Sequence, residues 1–224
     1  MKIAILGAYD REIEKLFDIF ENIETKKLKY IELNTAKYND YELVFAECGI
    51  GKVASTMATQ LIIDSINPDY IINIGVCGSL SKDAKIGDTF IGAEFFHHDQ
   101  YHLNTHKIPL EIFKTDTKII DRVDKIAAKN RVKIKKATIA TGDAFIESTE
   151  EKEKIINRKA ADLVDMESAA IVQTCIKNDI KFLILRSVSD NADENANCDF
   201  YKNDTQSSIK SVDFVKLLLD EKFF

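Results

Sequence analysis

Short apolar runs alternate with amphipathic stretches along most of this chain. Apolar runs bounded by turn residues predict buried strands over Lys2–Leu6, Tyr70–Ile74, Thr89–Phe95, Lys135–Thr141 and Lys181–Ser187. Stretches with apolar residues every three or four positions predict helices over Asp10–Phe20, Lys52–Ser65, Asp116–Lys129, Met166–Asn178 and Gln206–Leu219. A strand pair is predicted at Leu28–Leu33 and Tyr41–Glu47, with a turn at Tyr38-Asn39-Asp40 before the second strand.

Alternating strands and helices favour a parallel or mixed central sheet with helices on both faces. No linker rich in glycine, serine or proline divides the chain, and no internal repeat is visible. We therefore expect an α/β fold: a single-domain, three-layer α/β/α architecture with a mixed central sheet over residues 1–224. Ligands of such sheets bind beyond the carboxyl ends of the strands, so the residues after each strand are the first candidates for function.

Composition excludes several classes of function. The 224 residues are 45% hydrophobic and carry a formal net charge of −6, which argues against a nucleic-acid partner. No apolar run approaches the roughly 20 residues that span a bilayer, and the N-terminal apolar run is too short for a signal peptide. Cys48, Cys77, Cys175 and Cys198 are scattered, without a Cys-x-x-Cys pair. We therefore expect a cytoplasmic protein that binds neither nucleic acid nor membrane.

Glycines or acids follow most of the predicted strands. The glycine-bearing turns are Gly7-Ala8, Gly49-Ile50-Gly51, Gly75-Val76-Cys77-Gly78 and Gly142-Asp143, and the acid-bearing ends are Asp165-Met166-Glu167 and Ser189-Asp190. Each of these is ordinary turn punctuation by itself, but their joint occurrence at strand ends indicates a ligand site. Gly75-x-x-Gly78 lacks the third glycine of a dinucleotide fingerprint, so we do not expect it to bind phosphate.

Taken singly, most of the candidate side chains can also be explained by a purely structural role. Glu12 suits the first turn of a helix, and Asp190 suits a turn or an N-cap. Met166 and Phe145 are as well explained by core packing. Glu167 is harder to explain structurally, because it interrupts a buried-looking segment and a buried acid needs a partner.

The order and separation of these motifs carry a family resemblance over nearly the whole chain. The motifs are Lys2-Ile3-Ala4-Ile5-Leu6-Gly7-Ala8 with Glu12, Gly49-Ile50-Gly51-Lys52-Val53, Ile71-Ile72-Asn73-Ile74-Gly75 with Gly78, Thr141-Gly142-Asp143-Ala144-Phe145-Ile146, Val164-Asp165-Met166-Glu167-Ser168-Ala169-Ala170 and Arg186-Ser187-Val188-Ser189-Asp190. With them the chain resembles the 5′-methylthioadenosine/S-adenosylhomocysteine nucleosidases of the nucleoside phosphorylase superfamily. The resemblance implies a nucleoside-phosphorylase-like fold and hydrolysis of the N-glycosidic bond of these nucleosides, with 5′-deoxyadenosine as a further candidate substrate.

The resemblance also implies a role for each site residue. The acid matching Glu12 activates the attacking water, and the acid matching Asp190 protonates N7 of adenine. The other matching residues are implied to form the substrate-binding site. Met166 and Glu167 contact the ribose, and Phe145 and Ile146 contact adenine. Ile50 and Phe200 surround the 5′ substituent, while Arg186 and Ser189 support the two acids. A homodimer is implied as well, in which the Pro109 region of a second copy closes the pocket.

The chemistry of the reaction requires acidic side chains near the sugar and near the base. Cleavage of an N-glycosidic bond builds positive charge on the sugar and negative charge on the leaving base. Carboxylates near the sugar stabilise the first charge, and a protonated acid at the base relieves the second. One acid must therefore be ionised while the other is protonated, which requires different environments for the pair. No metal and no organic cofactor is expected.

A cluster of histidines suggests a competing metal site. His98, His102 and His106 have the i, i+4 spacing that places side chains on one helix face, and His97 and Asp99 lie beside them. The segment follows a strand and lacks a helical pattern, which argues against a metal site, and the resemblance implies a loop near the 5′ pocket at this position. Three features depart from the pattern of the resembled family. The span His97–Pro109 differs from the usual loop near the 5′ pocket. Val76 stands where a small hydroxyl residue is usual, and Asp165 replaces the usual glutamate.

Two alternative functions stay open at the level of sequence. A purine nucleoside phosphorylase would use phosphate in place of water, but Gly7-Ala8-Tyr9-Asp10 lacks the expected proline and Glu12 would repel the anion. A nucleoside-binding module without turnover would keep the fold and lose the chemistry. The presence of Glu12, Glu167 and Asp190 argues against such a module, and the hydrolase is favoured over both alternatives.

Overall fold

Eleven strands and six helices form the described part of the chain, which in this computed structural model is residues 1–100 and 110–224. The strands are β1 (Lys2–Gly7), β2 (Glu24–Leu28), β3 (Ile31–Tyr38), β4 (Tyr41–Glu47), β5 (Tyr70–Asn73), β6 (Val76–Ser79), β7 (Thr89–His97), β8 (Phe113–Lys114), β9 (Lys135–Thr141), β10 (Leu163–Asp165) and β11 (Lys181–Asp190). The helices are α1 (Asp10–Ile19), α2 (Lys52–Ile66), α3 (Thr117–Lys129), α4 (Thr149–Arg158), α5 (Ser168–Lys177) and α6 (Ala196–Asp220). The predicted α/β class is confirmed.

All the described strands join one mixed sheet in the order β2-β3-β4-β1-β5-β11-β6-β10-β9-β7-β8. The pairs β4–β1, β1–β5 and β5–β11 are parallel, so β1, β4 and β5 end at the same edge. The β3–β4 hairpin turns at Asn39, whose φ of 54° suits asparagine. Strands β1 and β5 are buried along their whole length apart from Lys2, which is why their sequences are runs of Ile, Leu and Ala.

The second half of the sheet curls and closes on itself through β11. The first residues of β11 pair with β5, its middle residues pair with β7, and its last residues pair with β6. Strands β11, β6, β10, β9 and β7 therefore form a closed ring, which the sequence pattern did not predict. Closure gathers the ends of β9, β10 and β11 around a common point, where the candidate residues are concentrated.

Helices cover the sheet on two sides. Helices α1 and α6 pack against each other on one side, where an apolar cluster includes Ile5, Leu16 and Val215. Helices α2 and α5 pack together on the other side, over a cluster that includes Leu6, Ile62 and Val172. A smaller third cluster lies under α4. The helices on both sides thus bury apolar side chains against the sheet, as expected for this class of fold.

Several predicted boundaries are wrong, for identifiable reasons. The strand predicted over Leu28–Leu33 straddles a turn at Lys29, because the edge strand β2 is polar and exposed and shows no alternation. The last helix begins at Ala196 and not at Gln206, since its first half buries polar side chains such as Asp204 and Ser207 and lacks an apolar stripe. The helix predicted from Met166 begins at Ser168.

Three elements were not predicted: β6, β8 and α4. Strand β6 contains a glycine and was assigned to a turn, and α4 buries only Ile155 among its residues. Among the described residues, none of the helices combines the length and the apolar character needed to cross a bilayer.

Candidate active site

Glu12 is a buried acid in the first turn of α1, directly after β1. Its side chain is 4% exposed, and its Oε2 accepts a hydrogen bond from the Ala8 N–H at 2.5 Å. Its Oε1 accepts a hydrogen bond from the Val76 N–H at 2.9 Å. Burial raises the pKa of Glu12, while the positive charge of Arg186 and the two N–H groups oppose that rise. The carboxylate is thus desolvated yet held in one orientation.

Gly75 lies against this carboxylate at the turn between β5 and β6. Its φ is +154°, and a Cβ at this position would overlap the Glu12 carboxylate oxygens. Only glycine lets the backbone pass so close to the acid. The glycine after β5 is therefore explained by close approach to Glu12, and not by a phosphate loop.

Arg186 is the cation at the centre of the buried polar cluster. Its side chain is 1% exposed, and its Nε donates to Asp165 Oδ2 at 2.8 Å while its Nη2 donates to Asn73 Oδ1 at 2.6 Å. The same Nη2 lies 3.7 Å from Glu167 Oε2. Desolvation would lower the pKa of Arg186, but the carboxylates of Asp165, Glu12 and Glu167 raise it above its usual value. The guanidinium therefore stays charged and neutralises part of the acidic cluster.

Asp165 is a buried acid whose carboxylate accepts hydrogen bonds from three side chains. Its Oδ1 accepts a hydrogen bond from the Thr141 hydroxyl at 2.6 Å, and its Oδ2 accepts from both Arg186 and the Ser168 hydroxyl. Thr141 Oγ1 in turn accepts from the Ala169 N–H at 3.0 Å. These bonds tie the end of β9, the end of β10 and the start of α5 together. Both carboxylate oxygens of Asp165 therefore already accept hydrogen bonds from within the protein.

Glu167 lies at the N-cap position of α5, but its carboxylate faces the loop before α2. Its Oε1 accepts a hydrogen bond from the Gly51 N–H at 2.9 Å, and the residue is 6% exposed. Burial raises the pKa of Glu167 to about 8, nearby Asp165 adds to the rise, and Arg186 opposes it. A carboxyl group with its pKa raised into this range accepts hydrogen bonds when ionised and can also donate one when protonated.

Asp190 ends β11 and is 2% exposed. Its Oδ2 accepts from the Ser189 hydroxyl at 2.8 Å, and its Oδ1 accepts from the Ala192 N–H at 2.9 Å. Burial raises the pKa of Asp190 despite these two donors, and the charges of Asp199 and Asp193 raise it further. The pKa of Glu12 is raised by burial as well, but there the positive charge of Arg186 opposes the rise.

The short strand β6 connects the two acids. The Val76 N–H holds Glu12, and a Cβ on Gly78 would lie 2.9 Å from Asp190 Oδ1. Positions two apart on a strand are separated by about 6.6 Å. The two acids are therefore anchored at two points of one short strand.

A cavity of about 30 Å³ lies beside Asp190. Its wall is formed by Gly78, Ala144, Phe145, Ile146, Val164, Asp165, Met166 and Asp190. Ile146 is buried, whereas Phe145 is 40% exposed and forms the outer part of the wall. This volume is about that of one water in the liquid, so a larger ligand would require the wall of the cavity to open.

Phe200 extends the aromatic surface away from this cavity. Its ring on α6 lies 5.7 Å from the Phe145 ring at 76° and 6.4 Å from the Tyr9 ring at 49°. The structure thus places Phe145 and Phe200 in contact, with Tyr9 as an unpredicted third member. Ile50 lies next to Gly51 in the loop before α2, but its side chain is 58% exposed and stays outside the buried cluster. Its contact with the 5′ substituent stays a prediction.

Sequence reasoning missed some members of the polar cluster and left one group of histidines open. Asn73 was detectable in principle, because it is a lone amide inside the apolar run of β5. Val76 contributes its N–H to Glu12, so the absent side-chain hydroxyl leaves that contact intact. His98 packs against Gly142, and His97 Nε2 lies 3.1 Å from Gln173 Oε1. The other two histidines of the proposed metal set, His102 and His106, lie outside the described residues.

Comparison with known proteins identifies what this arrangement resembles. A model of the phosphorylase superfamily matches residues 2–220. The 5′-methylthioadenosine/S-adenosylhomocysteine nucleosidase of Buchnera aphidicola subsp. Schizaphis graminum is 37% identical over 226 residues, which cover 98% of this chain and 96% of the relative.

Two solved structures from Helicobacter pylori have the same fold. One is a mutant nucleosidase of this kind with 5′-methylthioadenosine in the active site; it is 32% identical, has a TM-score of 0.92, and the match covers 98% of both chains. The other is named a futalosine hydrolase; it is also 32% identical with a TM-score of 0.92, and the match covers 99% of this chain and 98% of the other. From the superfamily match and the full-length relatives, the chain belongs to the phosphorylase superfamily and, within it, to the 5′-methylthioadenosine/S-adenosylhomocysteine nucleosidase family.

Proposed function

We propose that this protein hydrolyses the N-glycosidic bond of an adenine nucleoside with a modified 5′ end, 5′-methylthioadenosine or S-adenosylhomocysteine. The observation that carries the proposal is the pair of buried acids anchored along β6, Glu12 beside Val76 and Asp190 beside Gly78. Their surroundings differ as acid and base catalysis require, because a guanidinium faces one acid and further carboxylates face the other. Residues 1–224 act as one nucleosidase domain.

In the proposed reaction, water attacks C1′ of the ribose while Glu12 accepts one of its protons. The C1′–N9 bond breaks, its electron pair moves into adenine, and Asp190 delivers a proton to N7. The products are free adenine and the 5′-substituted ribose. General acid–base assistance of this kind contributes about 10²–10⁴-fold to the rate.

The remaining site residues bind and position the substrate in this proposal. Glu167 and Met166 hold the ribose, Phe145 and Ile146 enclose adenine, and Phe200 packs on the 5′ substituent. Arg186 and Ser189 orient the acids through the contacts described above. The reaction requires neither a metal nor an organic cofactor.

Water is favoured over phosphate as the nucleophile. A phosphate would need uncommitted cations and a site free of negative charge. Arg186 is bonded to Asp165, and Arg11 is paired with Asp204 at 2.8 Å, so both of these arginines are already engaged with carboxylates. Glu12 adds a negative charge where the nucleophile would enter, which disfavours an anion.

We also propose that the protein is a cytoplasmic homodimer. Ile50, Val53 and Met57 are 58%, 70% and 50% exposed; Val53 and Met57 share one side of the first turns of α2, and Ile50 lies in the loop just before that helix. Burial of this apolar face against a second copy would explain why Ile50 lies outside the cluster of a single chain. All four cysteines are unpaired, which supports a reducing compartment. Light scattering tests the dimer, and a fully active monomer would contradict it.

Release of adenine from 5′-methylthioadenosine, followed by chromatography, tests the function. Parallel reactions contain phosphate, a chelator, or S-adenosylhomocysteine, 5′-deoxyadenosine or futalosine as the substrate, the last because of the name of one structural relative. Adenine and free methylthioribose formed without phosphate, and in the presence of chelator, are the expected result. A sugar phosphate that forms only with phosphate would establish a phosphorylase, and binding without turnover would establish a nucleoside-binding module.

A further inference from the structure

Three segments meet at Lys52, the first residue of α2. Its Nζ donates a hydrogen bond to Asp99 Oδ1 at 2.6 Å and lies 3.6 Å from Asp143 Oδ2. Its backbone N–H donates to Asp143 Oδ1 at 2.7 Å. The two aspartates are also joined directly, because the Asp143 N–H donates to Asp99 Oδ2 at 2.9 Å. The loop before α2, the residues after β7 and the loop after β9 are thereby connected into one network.

This network lies between the two ends of the candidate site. On one side, the neighbouring Gly51 N–H donates to Glu167, the acid proposed to hold the ribose. On the other side, Asp143 is followed by Ala144, Phe145 and Ile146, which form the wall of the cavity beside Asp190. A change in the position of Lys52 therefore moves the support of the sugar end relative to the wall of the base end.

The backbone at this point is fitted tightly. Gly51 has a φ of +90°, and a Cβ on it would lie 2.9 Å from Asp143 Oδ1. The side chains of Lys52, Asp99 and Asp143 are 23%, 28% and 48% exposed, so the ions are only partly solvated. Desolvation works against ionisation of Asp99, but the hydrogen bonds from Lys52 and from the Asp143 N–H lower its pKa overall. A network of several charges with defined geometry constrains position more than an isolated surface pair does.

We propose that Lys52 is a positioning residue that sets the distance between Glu167 and the cavity wall formed by residues 144–146. This inference rests on the proposed nucleosidase function. A whole nucleoside contacts both ends of the site and needs the correct distance, whereas free adenine needs only the wall. Lys52 therefore governs affinity for the nucleoside and has little influence on affinity for the free base.

The test compares Lys52→Met, Lys52→Arg and Lys135→Met. Lys135 is a matched control because it begins the strand that Asp143 follows and makes a 2.6 Å ion pair with Asp88 away from the site. For each protein, KM for 5′-methylthioadenosine and the inhibition constant of adenine are measured, with Tm as a check of folding. In Lys52→Met we expect KM to rise about 10-fold or more, since misplacement by about 1 Å can cost 10²-fold.

The adenine inhibition constant of Lys52→Met should change by less than about 3-fold, and Lys52→Arg should restore KM, because a guanidinium can reach both aspartates. Lys135→Met should resemble the wild type in both constants. The inference is wrong if KM in Lys52→Met stays near the wild-type value, or if KM and the adenine inhibition constant rise together. If the wild type releases no adenine, the proposed function fails separately, and calorimetric dissociation constants for the nucleoside and for adenine test the network in the same way.

Discussion

The change Asp190→Asn isolates the proton donor, because asparagine keeps the shape of the side chain and removes the acidic proton. The Ala192 N–H that donates to Oδ1 at 2.9 Å can still donate to the asparagine carbonyl. The Ser189 hydroxyl loses its acceptor at Oδ2 but retains the Cys77 carbonyl oxygen at 3.2 Å. The buried surroundings of the side chain therefore stay nearly satisfied in the variant.

The magnitudes of the two effects differ widely. Loss of one hydrogen bond that is replaced locally costs about 1 kcal/mol or less, or about 2–4 °C in Tm for a chain of this size. Loss of a general acid costs about 10²–10⁴-fold in rate, which corresponds to about 3–5 kcal/mol in the activation barrier. We therefore expect kcat for adenine release to fall at least about 100-fold while the protein stays folded.

The assay is steady-state release of adenine from saturating 5′-methylthioadenosine, measured beside thermal unfolding of the same samples. Asp18→Asn is the control, because this exposed aspartate on α1 pairs with Lys15 at 3.7 Å and its charge is not among the main influences on the pKa of Asp190. The control should keep kcat within about 3-fold of the wild type, well short of the loss expected for a general acid. A kcat in Asp190→Asn within about 10-fold of the wild type, with Tm unchanged, would refute the assignment of Asp190 as the proton donor.

Three further predictions concern the buried cluster. Arg186→Met leaves carboxylates without their cation and should lower the free energy of unfolding in urea by about 3–5 kcal/mol; a loss below about 1 kcal/mol would contradict the role given to this ion. Gly75→Ala places a methyl group against Glu12 and should lower kcat more than about 10-fold, whereas Gly87→Ala, whose Cβ would meet the flexible end of a lysine side chain, should affect stability alone; equal kcat in both variants would contradict the close-approach explanation. Burial raises the pKa of Glu12 and of Glu167, the latter to about 8, so the folded state binds their protons more tightly than the unfolded state does. This contribution to stability is complete below the unfolded pKa of about 4.3 and is lost as pH rises towards about 8. Urea unfolding across this range should show a decline that is shallower in Glu167→Gln, and an identical slope in both proteins would refute the titration of that residue.

The local pattern of hydrophobic residues predicted the elements that bury one apolar helix face or one continuous apolar run. Strands β1 and β5 are continuous apolar runs, and α1 and α3 carry clear apolar stripes, so their positions agree with the prediction within one or two residues. Elements that hide polar groups were missed or misplaced, as in the first half of α6. Periodicity reports only contacts with apolar surroundings, and a buried serine or aspartate held by hydrogen bonds leaves no such pattern.

The amino-acid sequence by itself determined the class of fold, the strand ends that carry function and the family, because several motifs recur in a fixed order. The tertiary structure decided which side chains meet. Strand β11 pairs with β5 and also closes the ring, so it brings Asn73, Asp165 and Arg186 into contact from three separate strands, and strand β6 holds Glu12 and Asp190 at separate points. These contacts join residues far apart in the chain, so their geometry follows from strand order and register, which local sequence preference does not encode.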